Sequence, residues 1–217
     1  MLQITAVELT LTQAIAQFCT YAVLAVFTEN VIFSRALGVS SLVRLVDDPG
    51  IKTWHYCAPI IFVQLGSAPL GWVAHNLFFP WLRTYLPAWL PIAALRPIVY
   101  LSCSTIVMAI VWLFLFCWPR AARQSYRDQL PGATYNCCVL GTLLIAANQN
   151  FTFLQSIGFG LGSGFGYLFA VLVVDEGRRR LKSKDVPAIF RGLPSSLIYI
   201  GILSLAIYGL VGHAIAV

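Results

Sequence analysis

The stretch that decides the fold is residues 134–141, Thr-Tyr-Asn-Cys-Cys-Val-Leu-Gly. It opens an apolar run, Val139 to Ala147, that is too short to cross a bilayer, because a spanning helix needs about 20 apolar residues. At membrane depth a half-helix is tolerated only where protein covers it or where it lines a cavity. The sequence therefore predicts a half-helix that begins near Asn136.

Two interpretations of Asn136, Cys137 and Cys138 are open at this point. The first turn of a helix presents unpaired N–H groups and a positive dipole end, which favour a thiolate or a bound anion. On that basis the three residues are a candidate site. Alternatively, the two cysteines are small buried residues, because a free cysteine packs as a hydrophobe.

Composition places the chain among polytopic membrane proteins. Of its 217 residues, 59% are hydrophobic and only 10% are charged. This length accommodates about six spanning helices and has no polar linker long enough to separate two domains. The net charge of +6 comes from lysines and arginines in the gaps between apolar runs, which suits loops at a lipid surface. Nucleic-acid binding is therefore not expected.

The cysteine pattern excludes two kinds of site. The chain has six cysteines, but no Cys-x-x-Cys motif and no histidine at ligand spacing, so a zinc finger is excluded. Adjacent Cys137 and Cys138 allow only a strained disulfide. Most of the cysteines are predicted to be structural thiols inside apolar runs.

The remaining apolar runs predict the other membrane segments. Full spans are expected at residues 4–27, 54–79, 98–118, 153–174 and 195–216, with a second short segment at 31–46. Residues 80–97, 120–129 and 175–180 are predicted to be connections or loops. In the span 153–174, alternate residues from Gly158 to Gly166 form two helical stripes, which favour close helix packing in lipid.

Three charged residues lie in or near the first two segments, and two roles are open for each. Glu8 lies in the first span, where an ionisable group is a functional candidate, but it is close enough to the end to reach the interface. Glu29 and Arg35 flank the polar break at Asn30. They are predicted either to pair with each other or to contribute to ion binding.

The chain divides into two similar halves, residues 1–90 and 97–217. Each half has three hydrophobic regions, and the first region of each is interrupted, once near Asn30 and once near Asn136. Because three spans per half is an odd number, the halves are predicted to be inverted repeats. Broken helices at corresponding positions of inverted repeats indicate a site near the midplane, where Asn30 and Asn136 would approach each other.

Charge counting predicts the orientation. Lysines and arginines are concentrated in the gaps after the first, third and fifth hydrophobic regions. These gaps hold Arg44 and Lys52, the arginines from Arg120 to Arg127, and six basic residues from Arg178 to Arg191. The positive-inside rule places these gaps in the cytoplasm and both termini outside it.

Several motifs resemble one known family. They are Tyr135–Gly141, Asn150 with Phe153–Ser156, Asp185–Gly192, and Gly201–Ala206 with Gly209. Together they are similar to the RnfA/NqrE family, the membrane subunits of Rnf and sodium-pumping NADH:quinone oxidoreductase complexes of the inner membrane. The similarity is specific over residues 97–212, moderate over 28–46 and weak between 47 and 96.

The resemblance implies six helices and a homologous partner subunit of opposite topology. It also implies a [2Fe–2S] cluster between the two subunits, with two cysteines from each. Cys137 matches one of these cysteines, whereas Ser40, in Leu37-Gly38-Val39-Ser40, stands where the other is expected. Three outcomes are open: Ser40 or Cys138 is a substitute ligand, the cluster uses another geometry with the partner, or the cluster is lost.

Two functional hypotheses follow. In the first, the chain is a subunit of a redox-driven complex that passes electrons through a midplane iron–sulfur site and translocates Na⁺ or H⁺. The second is a non-redox transport component or assembly subunit on the same scaffold, which Ser40 favours. The chain has no flavin- or nicotinamide-binding signature, so in either case it holds no complete active site.

Overall fold

The computed structural model describes residues 2–47, 53–85, 92–116, 120–181, 187, 190 and 192–211. Throughout these ranges the chain is helical, with short turns and no strand, which confirms the predicted all-α membrane fold. The helices are α1 Leu2–Val26, α2 Val31–Arg35, α3 Val39–Asp47, α4 Thr53–Val73, α5 Phe79–Tyr85, α6 Ile92–Phe116, α7 Arg120–Thr134, α8 Cys137–Asn148, α9 Phe153–Leu181 and α10 Leu193–Val211. A π-helical segment, Ala74–Phe78, joins α4 to α5.

Within the described residues, three helical stretches are long and apolar enough to span a membrane: Thr53–Tyr85, Ala94–Phe116 and Phe153–Leu181. The end of α7 and the whole of α8 together provide a fourth candidate, bent by 42° at the break between them. Leu11–Val26 and Leu193–Gly209 are apolar but shorter. The half-helix predicted after Asn136 is confirmed as α8, while the total of six spans stays a prediction.

Helix α9 lies at the centre of the bundle, between α1 and α4. An added Cβ at Gly162 would lie 2.2 Å from the Ala22 carbonyl oxygen of α1, and one at Gly160 would lie 3.1 Å from the Gln64 carbonyl oxygen of α4. The two glycine stripes therefore face two different helices. The prediction of close packing through these stripes is confirmed.

Two predicted loops are helical. Residues 120–129 form most of α7, which packs against α4 and α6, and residues 175–180 continue α9 to Leu181. Ion pairs one helical turn apart support this polar end of α9, Arg179 with Asp175 at 3.0 Å and Arg180 with Glu176 at 3.6 Å. The predicted connection at 80–97 is also partly wrong, because α5 extends to Tyr85 and α6 begins at Ile92.

Contacts between helices follow a repeated scheme. Helix α1 packs against α9, and α7 packs against α4. Similarly, α2 packs against α9 and α10, while α8 packs against α4 and α6. Both short helices are therefore held between two longer ones, so protein covers the half-helices as the bilayer requires.

Candidate functional site

Both helix breaks are capped by a buried asparagine. The Oδ1 atom of Asn30 accepts a hydrogen bond from the backbone N–H of Ile32 at 3.1 Å, at the start of α2. At the start of α8, Asn136 Oδ1 accepts from the N–H of Cys138 at 3.0 Å. Asparagine is a favoured N-cap residue because its side chain satisfies an otherwise unpaired helix N–H. The two sequence signals thus correspond to two true helix starts.

The two breaks lie against each other. Gly38, between α2 and α3, has a φ of +86°, and an added Cβ there would lie 2.8 Å from Asn136 Oδ1 and 3.2 Å from Cys138 Cβ. Farther along α8, an added Cβ at Gly141 would lie 2.4 Å from Cδ1 of Leu37. Asn30 approaches the same region through α9, since its Nδ2 donates to the Gly166 carbonyl oxygen at 3.0 Å. Glycine is therefore required at position 38, and glycine at position 141 lets the side chain of Leu37 pack closely on α8.

The adjacent cysteines have opposite environments. Cys137 is exposed on the surface of the chain, whereas Cys138 is 1% exposed. Ser40, the second residue of α3, is exposed as Cys137 is. Of the three proposed ligands, therefore, Cys137 and Ser40 are accessible and Cys138 faces the interior.

Cys138 belongs to a buried polar cluster that the sequence did not reveal. The Nε2 atom of Gln64 lies 3.3 Å from each of Cys138 Sγ, Thr142 Oγ1 and Ser163 Oγ. The hydroxyls of Thr142 and Ser163 are 2.7 Å apart. We call Gln64, Cys138, Thr142 and Ser163 the Gln64 cluster. The amide of Gln64 in the middle of the apolar run 54–79 was the available signal, because such groups in membrane segments are frequently functional.

Three buried polar atoms at this junction have no hydrogen-bond partner among the described residues. They are Asn136 Nδ2, Tyr167 OH and Gln64 Oε1. An unpaired buried polar atom costs about 1–3 kcal/mol, so native proteins usually satisfy it with another group, a water or an ion. The interior beside Asn136 is therefore more polar than an ordinary helix contact in lipid.

The far end of α8 is also fixed by side chains. The side-chain oxygen of Asn148 accepts a hydrogen bond from Arg96 at 3.2 Å, and that of Asn150 lies 3.1 Å from His75 Nε2. The hydroxyl of Tyr100 lies 3.4 Å from His75 Nδ1. These contacts join α8 to α6 and to the π-helical segment, so both ends of the half-helix are anchored.

The charged candidates lie away from this interior. Arg35 and Glu29 approach to 3.8 Å at the surface, so they form the predicted pair. An exposed ion pair contributes only about 0–1 kcal/mol. Glu8 is in α1, but its side chain lies outside the described residues.

Only two of the three candidate ligands of an iron–sulfur cluster are accessible to a partner subunit. Across the described part of the chain, no three His, Cys, Asp or Glu side chains converge as a complete metal site. Cys137 offers an accessible thiol, and Ser40 an accessible but harder oxygen ligand. Cys138 Sγ is enclosed by the Gln64 cluster, so Cys137 and Ser40 are the two candidate ligands whose side chains a partner subunit can reach.

Comparisons with known proteins agree with the earlier resemblance. Residues 18–214 match the model of the family described as "Rnf-Nqr subunit, membrane protein". The chain is 26% identical to the E subunit of the Na(+)-translocating NADH-quinone reductase of Psychrobacter sp. (strain PRwf-1), over 88% of this chain and 95% of that protein. It is 29% identical to the corresponding protein of Idiomarina loihiensis, over 83% of this chain and 90% of that protein.

A shorter match gives the same answer. Over 42% of this chain and 48% of the relative, the sequence is 42% identical to the A subunit of the ion-translocating oxidoreductase complex of Aromatoleum aromaticum. The family model covers nearly the whole bundle, including both helix breaks. The chain therefore belongs to the Rnf-Nqr family of membrane subunits.

Proposed function

We propose that this chain is the membrane subunit of a redox-driven complex that translocates a cation, Na⁺ or H⁺, across the inner membrane. The observation that carries the proposal is the contact between the two helix breaks, with Cys137 exposed at the start of α8. Relatives named as subunits of Na(+)-translocating NADH-quinone reductase and of an ion-translocating oxidoreductase complex support it.

In this proposal Cys137 and Ser40 would hold a [2Fe–2S] cluster together with a homologous partner subunit. Such a cluster supplies one-electron transfer at membrane depth. The exposure of both residues supports a site on the face of the chain, where a second subunit completes it. The flavin and nicotinamide chemistry belongs to other subunits, because this chain carries no motif for either.

The residues around Cys137 would tune this site. The cap by Asn136 fixes the first turn of α8, whose N–H groups and positive dipole end favour negative charge on the Cys137 sulfur. The Gln64 cluster holds the neighbouring Cys138 inward, which leaves Cys137 pointing out. The two adjacent thiols therefore have different surroundings, because Cys138 is buried and Cys137 is exposed.

We also propose that the chain consists of two inverted repeats that switch access to the midplane. The first repeat is α1–α6 and the second is α7–α10, so the proposed boundary lies between residues 116 and 120 and not at the predicted 90–97. Exchanging α1 with α7, α2 with α8, α4 with α9 and α6 with α10 turns several packed pairs into other packed pairs. For example, α1 against α9 becomes α7 against α4, and α2 against α10 becomes α8 against α6. This correspondence supports two structurally equivalent halves, and the odd number of spans predicted for each half is the reason to propose that they are inverted. Two packings related in this way provide outward and inward states.

A second candidate function is a non-redox transport component or assembly subunit on the same scaffold. Ser40 favours it, because serine is a rare ligand for iron–sulfur clusters. This candidate predicts that the chain is not purified with flavin-containing subunits.

The test is to purify the complex from native membranes through a tag on this chain and to reconstitute it in vesicles. The proposal predicts that a homologous membrane subunit and flavin subunits co-purify, and that NADH oxidation drives cation uptake. Purification of an intact chain without redox subunits, or NADH oxidation without ion movement, would contradict it.

A further inference from the structure

A polar cavity lies between α3, α4 and α7, and Cys137 is not part of its lining. Its volume is about 260 Å³, and its lining includes Ser41, Arg44, Tyr56, Asp128, Gln129 and Gly132. One water occupies about 30 Å³ in the liquid, so the cavity is large enough for several. Arg44 belongs to the positively charged side of the chain, which the positive-inside rule assigns to the cytoplasm.

Tyr56 connects this cavity to the helix break. Its hydroxyl donates to the Gly132 carbonyl oxygen at 3.3 Å, and it has the side chains of Ser41, Asn136 and Tyr167 as close neighbours. The rings of Tyr56 and Tyr167 are 6.3 Å apart between centroids. A continuous line of polar side chains therefore runs from the cavity to Asn136.

The two capping asparagines differ at this point. The Nδ2 atom of Asn30 donates to the carbonyl oxygens of Val26 at 2.8 Å and Gly166 at 3.0 Å, so its amide is satisfied. The corresponding atom of Asn136 makes no hydrogen bond of normal geometry within the described residues. The same is true of the hydroxyl of Tyr167, although the side chains of Asn136, Tyr167 and Tyr56 lie close to one another. Asn136 and Tyr167 are only 2% and 1% exposed. A water that reaches them from the cavity would accept a hydrogen bond from Asn136 Nδ2 and pair with the hydroxyl of Tyr167.

The interior beyond Asn136 suits a small cation. Cys138 lies two residues after Asn136, and Gln64, Thr142 and Ser163 lie around its sulfur. The line therefore continues as amide and hydroxyl groups. Within the described residues, every buried polar side chain in the core is neutral. Neutral oxygens replace the hydration shell of a monovalent cation without fixing it in place by charge.

We propose that a hydrated half-channel leads from this cavity past Tyr56 to Asn136 and Tyr167, and that the translocated cation enters the chain through it. The role in ion entry rests on the proposed translocating function. The presence of water in the half-channel does not depend on that function. Neither Cys137 nor Ser40 lines the cavity, although Ser41 does.

Radiolytic hydroxyl-radical footprinting of the assembled wild-type complex tests for the water. Radicals form from waters bound beside a residue, so a buried tyrosine is oxidised only where water reaches it. Tyr167 and Tyr100 form a matched pair, because they are 1% and 0% exposed, and the hydroxyl of Tyr100 already has His75 as its partner. The proposal predicts several-fold faster oxidation of Tyr167, and equal rates for the two tyrosines would overturn it.

A variant that fills the cavity tests whether water and the cation use the same path. An added Cβ at Gly132 meets only Tyr56, at an ordinary 3.7 Å, so Gly132→Leu extends into the cavity without a backbone clash. Gly201→Leu is the control, since no described atom lies within 4 Å of a Cβ at Gly201. Gly132→Leu should slow both Tyr167 oxidation and NADH-driven cation uptake several-fold, while Gly201→Leu should change neither.

The outcomes separate the two proposals. If Gly132→Leu slows oxidation of Tyr167 but leaves cation uptake unchanged, the half-channel is not the entry route and this inference fails. If the wild-type complex oxidises NADH without moving any cation, the translocating function fails, while fast oxidation of Tyr167 would still support the water-filled path.

Discussion

At the scale of single residues, the molecule uses asparagine twice for the same local task. Both Asn30 and Asn136 cap a helix with Oδ1, but only Asn30 also pairs its amide nitrogen with backbone carbonyls. Asn136 instead lies at the junction of Gly38, Cys138 and Tyr167. The first break is therefore built for stability, and the second leaves an unsatisfied group next to the candidate site.

This difference predicts unequal costs for removing the two caps. Asn136→Ala should destabilise the protein by about 1 kcal/mol, the usual value of an N-cap. Asn30→Ala should cost about 1–3 kcal/mol more, because it also leaves the buried Gly166 carbonyl without its donor. Thermal unfolding of the purified complex, followed by tryptophan fluorescence, measures both. Equal shifts of the midpoint would contradict the assignment.

Gly38 gives a second prediction at this scale. Gly38→Ala should lower stability for two reasons: its positive φ of +86° strains an L-residue, and its Cβ would clash with Asn136. Gly192→Ala is the control for the first reason, because Gly192 has a similar φ of +92° with no described atom within 4 Å. The Gly38 variant should be less stable than the Gly192 variant by about 1–3 kcal/mol in the same unfolding experiment. Comparable stabilities would mean that the two breaks are not in tight contact.

At the scale of elements, α9 organises the bundle and α8 carries the site. Both were predictable, because glycine at every second residue marks close packing on two sides, and Asn136 before a short apolar run marks a capped half-helix. Helix α7 was not predictable as a helix from apolar periodicity, because its first turns are polar and its packing against α4 is tertiary. The Gln64 cluster was missed for a similar reason, since one amide in an apolar span does not reveal which side chains converge on it.

The glycine stripes lead to a prediction about α9. Gly162→Ala places a Cβ 2.2 Å from the Ala22 carbonyl oxygen, and only movement of the α1 backbone relieves this contact. Overpacking of this kind costs about 1–3 kcal/mol. Gly201→Ala, on the open surface of α10, should be neutral in the same thermal assay. An equally stable Gly162→Ala protein would show that α1 and α9 are not packed through this stripe.

At the scale of the whole molecule, the account depends on two halves that meet at their breaks. The sequence predicted this from two interrupted segments, and the structure places the segment Leu37–Gly38 against α8. What the sequence could not provide is the different exposure of Cys137 and Cys138. That difference depends on the direction of the first turn of α8, which Gln64, from the other half, helps to set.

Orientation is tested at this scale with reporter fusions. The positive-inside rule predicts that the gap after Leu181 is cytoplasmic and that the carboxyl terminus lies outside. Alkaline phosphatase fused after Val217 should be active. The same enzyme fused after Leu181 should be inactive, whereas green fluorescent protein fused there should fluoresce. The reverse pattern would invert the topology and place the cavity beside Arg44 on the outer side.

The central claim is that Cys137, and not Cys138, serves a redox centre of the complex. The most direct measurement is iron and acid-labile sulfide content with EPR spectroscopy of the anaerobically purified complex, in the wild type and in the Cys137→Ala and Cys138→Ala variants. The account predicts an iron–sulfur signal that disappears in Cys137→Ala and persists in Cys138→Ala when both complexes assemble. An intact wild-type complex whose signal survives Cys137→Ala would contradict it.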